Sequence, residues 1–383
     1  MTDTADGRPE GVALYVHWPY CARICPYCDF NVVRDRRQAE QADLVEAVIA
    51  DLERQAKMLE GRPLASIFFG GGTPSLMRPE WVGRIVEAAH RLLPTTDPVE
   101  ITLEANPTDA EADRFAGFAA AGVQRLSIGV QAFDDADLRF LGRNHDAAEA
   151  MRSVDLAGRL FPRLSIDLIY ALPGQTVAGW TEALGRATRL GFEHVSPYQL
   201  TVEAATAFGR AARRGDWTPP DGDTAADLYE ATQGVLEAAG FEAYEVSNHA
   251  KGAAARSAHN LHVWRGGDYI GVGPGAHGRL TLGGARTATV AHRRIADYLA
   301  GVAAGTPWAE VDALSSADAA EERLLLGLRT LEGVPEALVG QVGAGAAAQD
   351  LVTDGYLART AGRIAATARG RPLLDAVLKA LLT

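Results

Sequence analysis

Cysteine is scarce in this sequence: three residues in 383, and all of them, Cys21, Cys25 and Cys28, fall within one eight-residue stretch. An odd number in one cluster argues against a disulfide framework and for a reducing compartment. Long apolar runs are missing as well. Nothing approaches the roughly 20 apolar residues of a membrane helix, and the polar, acidic stretch from Met1 to Glu10 does not read as a secretory signal. A cytoplasmic location is the expectation. Positive charge is not in excess either. The formal net charge is −12, whereas general nucleic-acid binding needs a basic footprint. What is present, 47% hydrophobic residues over this length, suffices for one large core and a smaller appended domain.

From Val12 to about Leu200, short β-rich runs alternate with amphipathic segments. The pattern predicts strands over Val12–His17, Ala65–Phe69, Val99–Glu104, Arg125–Val130, Arg163–Tyr170 and His194–Gln199. Such alternation reads as βα units around a parallel sheet. Six units fit a partial (β/α)6 TIM-type barrel better than a closed eight-fold one. The strands run into polar or glycine-rich residues, which places the chemistry at their C-terminal ends. A Pro/Asp/Gly stretch, Trp217 to Asp223, breaks the pattern, and Asn248 to Leu282 reads as irregular. Beyond Thr306, helical segments, a hairpin turning at Ala361–Arg363 and a last helix from Arg371 predict a winged-helix-like α+β domain. The expected division is 1–240 for the barrel, 241–305 for an extension facing the substrate, and 306–383 for the C-terminal domain.

The run Cys21-Ala22-Arg23-Ile24-Cys25-Pro26-Tyr27-Cys28 directly follows the first predicted strand. Three chemistries compete for it. Structural zinc closes its shell with four protein ligands, so a histidine from elsewhere would have to join. A redox pair would use Cys25 and Cys28 and leave Cys21 without a role. A [4Fe–4S] cluster uses all three thiolates and leaves one iron without a protein ligand. After the second strand comes Gly70-Gly71-Gly72-Thr73-Pro74, whose glycines let backbone approach a ligand closely.

These two motifs, in this order, resemble those of the radical S-adenosylmethionine (SAM) superfamily. In that superfamily the open iron holds the amino and carboxylate groups of SAM. An electron from the cluster then cleaves a C–S bond to give a 5′-deoxyadenosyl radical, which implies an electron donor as partner. Tyr15-Val16-His17-Trp18-Pro19, Glu104-Ala105-Asn106-Pro107, Ser127-Ile128-Gly129-Val130-Gln131 and Ile166 to Gly174 narrow the resemblance to the anaerobic coproporphyrinogen III oxidase family. It extends over nearly the whole chain. It implies a [4Fe–4S] cluster on Cys21, Cys25 and Cys28, with SAM contacts from Tyr15, Gly71 and Glu104. A neighbouring site would be lined by Tyr27, Gly72, Thr73, Gln131, Arg143 and Asp167, where the oxidase branch holds a second SAM. Plainer roles stand beside these: Glu104 as a helix cap, Gln131 and Asp167 as partners of buried backbone, Arg143 in a surface pair with Asp146 or Asp137, Tyr15 as core.

Two branches of that family differ at the cluster loop. The oxidase branch carries a fourth cysteine where this chain has Phe30, and a longer segment before the cluster. Both differences resemble the heme-chaperone branch. Its His-Asn-x-x-Tyr-Trp signature is met by His259-Asn260-Leu261-His262-Val263-Trp264, with Val263 in the tyrosine's place, and Gly271 to Gly278 is similar to it as well. The resemblance implies a protein that binds heme and passes it to an acceptor protein; the alternative is an oxygen-independent coproporphyrinogen III oxidase.

Five of the nine histidines lie between His249 and His292. Neutral imidazole ligates heme iron, which makes His259, His262 and His277 candidates, with Arg279, Arg286, Arg293 and Arg294 for the propionates. No Cys-x-x-Cys-His motif offers covalent attachment. Arg359, Arg363, Arg369 and Arg371 around the wing raise a nucleic-acid reading, against which the acidic chain speaks. The C-terminal domain is expected to pack at the barrel mouth.

Overall fold

The structure is a computed structural model that describes residues 7–35, 38–95 and 98–383. The first six residues of the polar stretch Met1 to Glu10 lie outside it. Six parallel strands pair in chain order: β1 (Val12–Trp18), β2 (Leu64–Gly71), β3 (Glu100–Ala105), β4 (Arg125–Gln131), β5 (Arg163–Tyr170) and β6 (His194–Gln199). Their side chains alternate between two faces. Leu14, Val16, Trp18, Ile67, Phe69, Ile101, Leu103, Leu126, Ile128 and Ile166 join one continuous core with residues of the covering helices such as Val48, Leu52, Val82 and Ile85. Each fully buried side chain of this kind contributes about 1.5–3 kcal/mol. The alternate positions, among them Ser66, Thr102, Ser127, Ser165 and Ser196, are polar yet buried. The interior of the barrel is therefore polar, and its outer face is apolar.

The segment read as irregular holds a seventh parallel strand, β7 (Asp268–Val272), which pairs with β1 on its free edge. Antiparallel strands His277–Leu282, Ala285–Ala291 and Trp308–Leu314 continue the sheet from there. At the other edge, His249–Ala250 and Glu242–Ala243 pair beyond β6. Among the described residues the two edges do not meet, so the barrel stays open. Glycines obscured this segment in the sequence and also permit it. A Cβ on Gly271 would lie 2.0 Å from the His277 carbonyl oxygen. Gly273, at φ +105°, brings its backbone so close to β1 that a Cβ would be 2.3 Å from the His17 carbonyl oxygen.

A short helix, Ala258–Trp264, closes the floor of the barrel. Ser257 caps it, and the Ala258 N–H donates to Glu100 at 2.9 Å. Glu100 begins β3 and also pairs with Arg163, which begins β5. His194, at the start of β6, is hydrogen-bonded to Ser165 Oγ at 2.6 Å and Tyr244 Oη at 2.8 Å. At the start of β7, buried Asp268 accepts from Arg62 at 2.8 Å and Arg286 at 2.9 Å, and from the Thr281 N–H at 2.6 Å.

A second apolar core, from Ala320 to Leu381, is built by helices Ser316–Gly327, Glu336–Gln341, Gly345–Thr353 and Leu374–Leu382 with a three-stranded sheet. The strands Leu357–Thr360 and Arg363–Ala366 form the expected wing, turning through Ala361 and Gly362 at positive φ. The expected packing at the barrel mouth is corrected: this unit docks at the floor. Glu332 pairs with Arg265 at 2.5 Å, Glu322 with Arg279 at 2.6 Å and Arg286 at 3.1 Å, and the Leu331 N–H donates to the Tyr244 carbonyl. Its acidic residues meet the arginines gathered around the strand starts, and that complementarity sets the docking end. The wing arginines are all engaged within the protein. Arg359 pairs with Glu336, Arg363 and Arg371 donate to backbone carbonyls, and Arg369 stacks on Tyr356. The cations that raised a nucleic-acid reading are thus tied into the fold.

Candidate functional site

The C-terminal ends of the strands and the loop after β1 enclose a cavity of about 510 Å³. Cys21, Cys25 and Cys28 line its loop wall; Gly71, Gly72, Thr73, Glu104, Gln131, Arg143 and Asp167 line the strand wall, with Tyr27 between them. Of the residues singled out for cluster and SAM, only Tyr15 does not reach this surface. Its hydroxyl is hydrogen-bonded to His17 Nδ1 at 3.0 Å, and its ring abuts Phe68 and His259. His17 Nε2–H donates to the Asn31 carbonyl at 2.9 Å, so Nδ1 accepts from Tyr15.

The loop carrying the cysteines is held at both ends. The N–H groups of Gly72 and Thr73 donate to the carbonyls of Trp18 and Tyr20. A Cβ on Gly72 would lie 2.7 Å from the Trp18 oxygen, so only glycine admits this approach. On the return leg, the Asn31 side chain donates to the Pro274 and Arg293 carbonyls at 2.8 and 2.9 Å. The three thiols line one wall without converging on a common metal-ligand distance. Burial, the Thr73 hydrogen bond and the other two thiols act on Cys21, with the net effect of pushing it up to about 11. Cys28 is raised mainly by burial. A bound cation would reverse that balance and hold thiolates.

Two carboxyls face each other across the cavity floor. Glu104 is pushed up to about 8, first by burial and then by the charge of Asp167, while an N–H from Gly71 partly offsets this. Asp167 is pushed up to about 6 by burial, against hydrogen bonds from Ser196 and Ser127. Glu104 does not cap the next helix; Thr108 does. Arg143 makes no surface pair with Asp146 or Asp137. Its guanidinium turns inward to the Cys25 Sγ at 3.3 Å, the Gly129 carbonyl at 3.2 Å and the Asn106 side chain. Two buried polar atoms, Arg143 Nε and Gln131 Oε1, have no partner in the protein. Gln131 also holds φ +67°, a left-handed conformation that non-glycine residues adopt at a cost of about 1–3 kcal/mol. Strain and unmet hydrogen-bonding groups converging on one cavity are what a polar ligand site presents.

Asn106 belongs to this site although the sequence reading gave it no role. It accepts from Arg143 and donates to Thr73 Oγ1 at 3.2 Å, joining the two cavity walls. Its place directly after β3 was the available signal. The heme candidates do not cluster here. His259 is buried in the floor, hydrogen-bonded to Ser66 Oγ at 2.9 Å, and His262 Nε2–H donates to the Asp268 carbonyl at 2.8 Å. Arg279 and Arg286 are taken up by Glu322 and Asp268. His277, Arg293 and Arg294 are exposed.

Residues 15–187 match the Radical SAM superfamily and residues 314–373 the HemN C-terminal domain. The solved structure of coproporphyrinogen III oxidase (HemN) from Escherichia coli superposes with a TM-score of 0.81 at 23% identity, over 99% of this chain and 92% of that one. This likeness establishes the fold. Heme chaperone HemW of Mycobacterium tuberculosis is 36% identical over 98% of this chain and 95% of its own length. HemW of Escherichia coli K12 is 41% identical over 71% of each chain. The mitochondrial Radical S-adenosyl methionine domain-containing protein 1 of Mus musculus is 38% identical over 97% of this chain and 87% of its own. The chain belongs to the radical SAM superfamily and, within it, to the family of these HemW and domain-containing protein 1 relatives. No helix among the described residues is long and apolar enough to cross a membrane.

Proposed function

We propose that this protein is a heme chaperone, binding heme and passing it to an acceptor protein, with a [4Fe–4S] cluster on Cys21, Cys25 and Cys28 and SAM beside it. The donor set fits: three thiols on one wall, two unpartnered polar atoms and a glycine cradle on the other. When bound, cluster and SAM supply one-electron chemistry. The chain's own residues orient that pair. Gly71 and Gly72 admit it, Glu104 and Asp167 offer protonated or ionised carboxyls to hydroxyl groups, and Arg143 places a cation beside Cys25. Tyr15 acts through His17 and not by direct contact. An electron donor and a cytoplasmic setting accompany this reading; the reduced state that three free thiols require supports the latter. The separate core from Ala320 onward supports treating residues 306–383 as their own domain.

The observation that carries the chaperone reading over the oxidase is Phe30. It stands at the cavity lip with 61% of its surface exposed, where a fourth cysteine would stand in the oxidase branch. An exposed phenyl ring cannot ligate iron, and it gives a porphyrin an apolar contact. The test is anaerobic reconstitution with iron and sulfide followed by hemin titration at the Soret band. Stoichiometric binding is expected, and its absence sinks the reading. Decarboxylation of coproporphyrinogen III with SAM and a reductant would instead establish the oxidase.

A further inference from the structure

Resting on the chaperone reading, we propose that heme docks on the outer lip of the barrel, with His277 as the axial ligand of its iron, Phe30 against the macrocycle, and Arg293 and Arg294 at the propionates.

A ligand to incoming heme iron must present a free imidazole nitrogen at the surface. His259 and His262 are closed off in the floor helix and held by Ser66 and the Asp268 carbonyl. His194 is buried between Ser165 and Tyr244, and His17 between Tyr15 and Asn31. His145 is buried and bonded to the Val130 carbonyl, and His249 is buried beside Gln233. His90 is exposed but sits in the last turn of the covering helix Pro79–Leu92, which leads back toward the strand starts, and His292 is half-buried with its ring against Gly301. His277 is exposed at the start of its strand, paired in register with Val290. Partial burial and then the charges of Arg279 and Arg293 hold it below the ordinary imidazole value, against Glu310. It is therefore neutral, the form that ligates metal, at neutral pH.

Asn31, the residue after Phe30, donates to the carbonyls of Arg293 and Pro274, and a Cβ on Gly275 would lie 2.6 Å from the Asn31 side chain. The cluster loop's apolar tip and the Gly-Pro-Gly turn leading to His277 are thereby locked side by side. The same turn is tied to the next segment, since the Gly275 N–H donates to the His292 carbonyl at 3.0 Å. Arg293 and Arg294 follow immediately. Arg294 is 84% exposed and, among the described residues, meets only Asp297, at 3.9 Å, while Arg279 and Arg286 are occupied in partly buried pairs. Heme is a flat apolar ring with one metal and two carboxylates. One imidazole, one exposed phenyl and two open guanidiniums on one lip match it group for group.

Hemin titration of the anaerobically reconstituted holoprotein tests this. H277A is expected to move the Soret maximum and weaken binding about tenfold, with added imidazole restoring the wild-type spectrum. The double variant R293Q/R294Q is expected to weaken binding several-fold with the Soret maximum unmoved. Iron content and circular dichroism equal to wild type certify folding. If wild type binds hemin and H277A binds it with the same affinity and spectrum, the docking proposal is overturned and the chaperone reading stands. If wild type binds none, the chaperone reading itself fails.

Discussion

Gly273→Ala isolates the contact that joins the end of β1, just before the cysteine loop, to the turn after β7. At φ +105° the alanine would be strained by about 1–3 kcal/mol. Its Cβ, 2.3 Å from the His17 carbonyl oxygen, adds an overpacking cost of about 1–3 kcal/mol, because the facing atom is backbone in β1 and has nowhere to go. The sum is about 2–6 kcal/mol. Gly283→Ala is the matched control. Gly283 is also at positive φ, +57°, but nothing lies within 4 Å of its would-be Cβ, so only about 1–2 kcal/mol of left-handed strain applies. Urea unfolding followed by tryptophan fluorescence measures both. Gly273→Ala should lower the midpoint well beyond Gly283→Ala with little change in slope. It should also lower the iron retained after reconstitution, since His17 and Asn31 anchor the cysteine loop. Equal midpoint shifts for the two variants would refute the reasoning.

Glu104 and Asp167 keep their protons in the folded chain, up to about pH 8 and about pH 6, well past where an unfolded chain releases them. Stability of the cluster-free protein should accordingly fall as pH rises from about 4.5 to 8, by up to ~1.4 kcal/mol per pH unit per group. E104Q should remove the decline between pH 6 and 8, and a wild-type stability flat across that window contradicts the assignment. Asp268→Asn leaves Arg62 and Arg286 facing a neutral amide in a buried position and should cost about 2–4 kcal/mol in urea unfolding; a cost under about 0.5 kcal/mol would show that solvent already screens the cluster. Cys21→Ser, Cys25→Ser and Cys28→Ser should each bring reconstituted iron and sulfide to background, and full retention in any one removes that residue from the ligand set.

The six barrel strands were legible because their period-2 apolar pattern is local and each is followed by a polar or glycine turn. Bounds shifted by a residue or two at most. The floor helix Ala258–Trp264 was not legible as a helix in a segment crowded with Gly and His, and β7 was hidden because Gly271 breaks its apolar run and Gly273 follows directly on its end. Both depend on partners distant in sequence: the helix on Glu100 and Ser66, the strand on β1. Arg143 illustrates the same limit within the site. Its neighbours in sequence suggested a surface ion pair, whereas the fold turns it toward Cys25 and Asn106.

The sequence by itself determined that three cysteines share one loop, that a glycine run follows the next strand, and that no fourth cysteine stands at Phe30. These are statements about spacing, and spacing within a loop survives any fold that keeps the loop intact. Tertiary structure alone decided which wall each residue lines, that the acidic C-terminal unit meets arginines at the floor and not the mouth, and which histidines remain open to solvent. Those outcomes rest on burial and on charges brought together from segments tens of residues apart, such as Arg265 and Glu332, and a linear pattern carries neither.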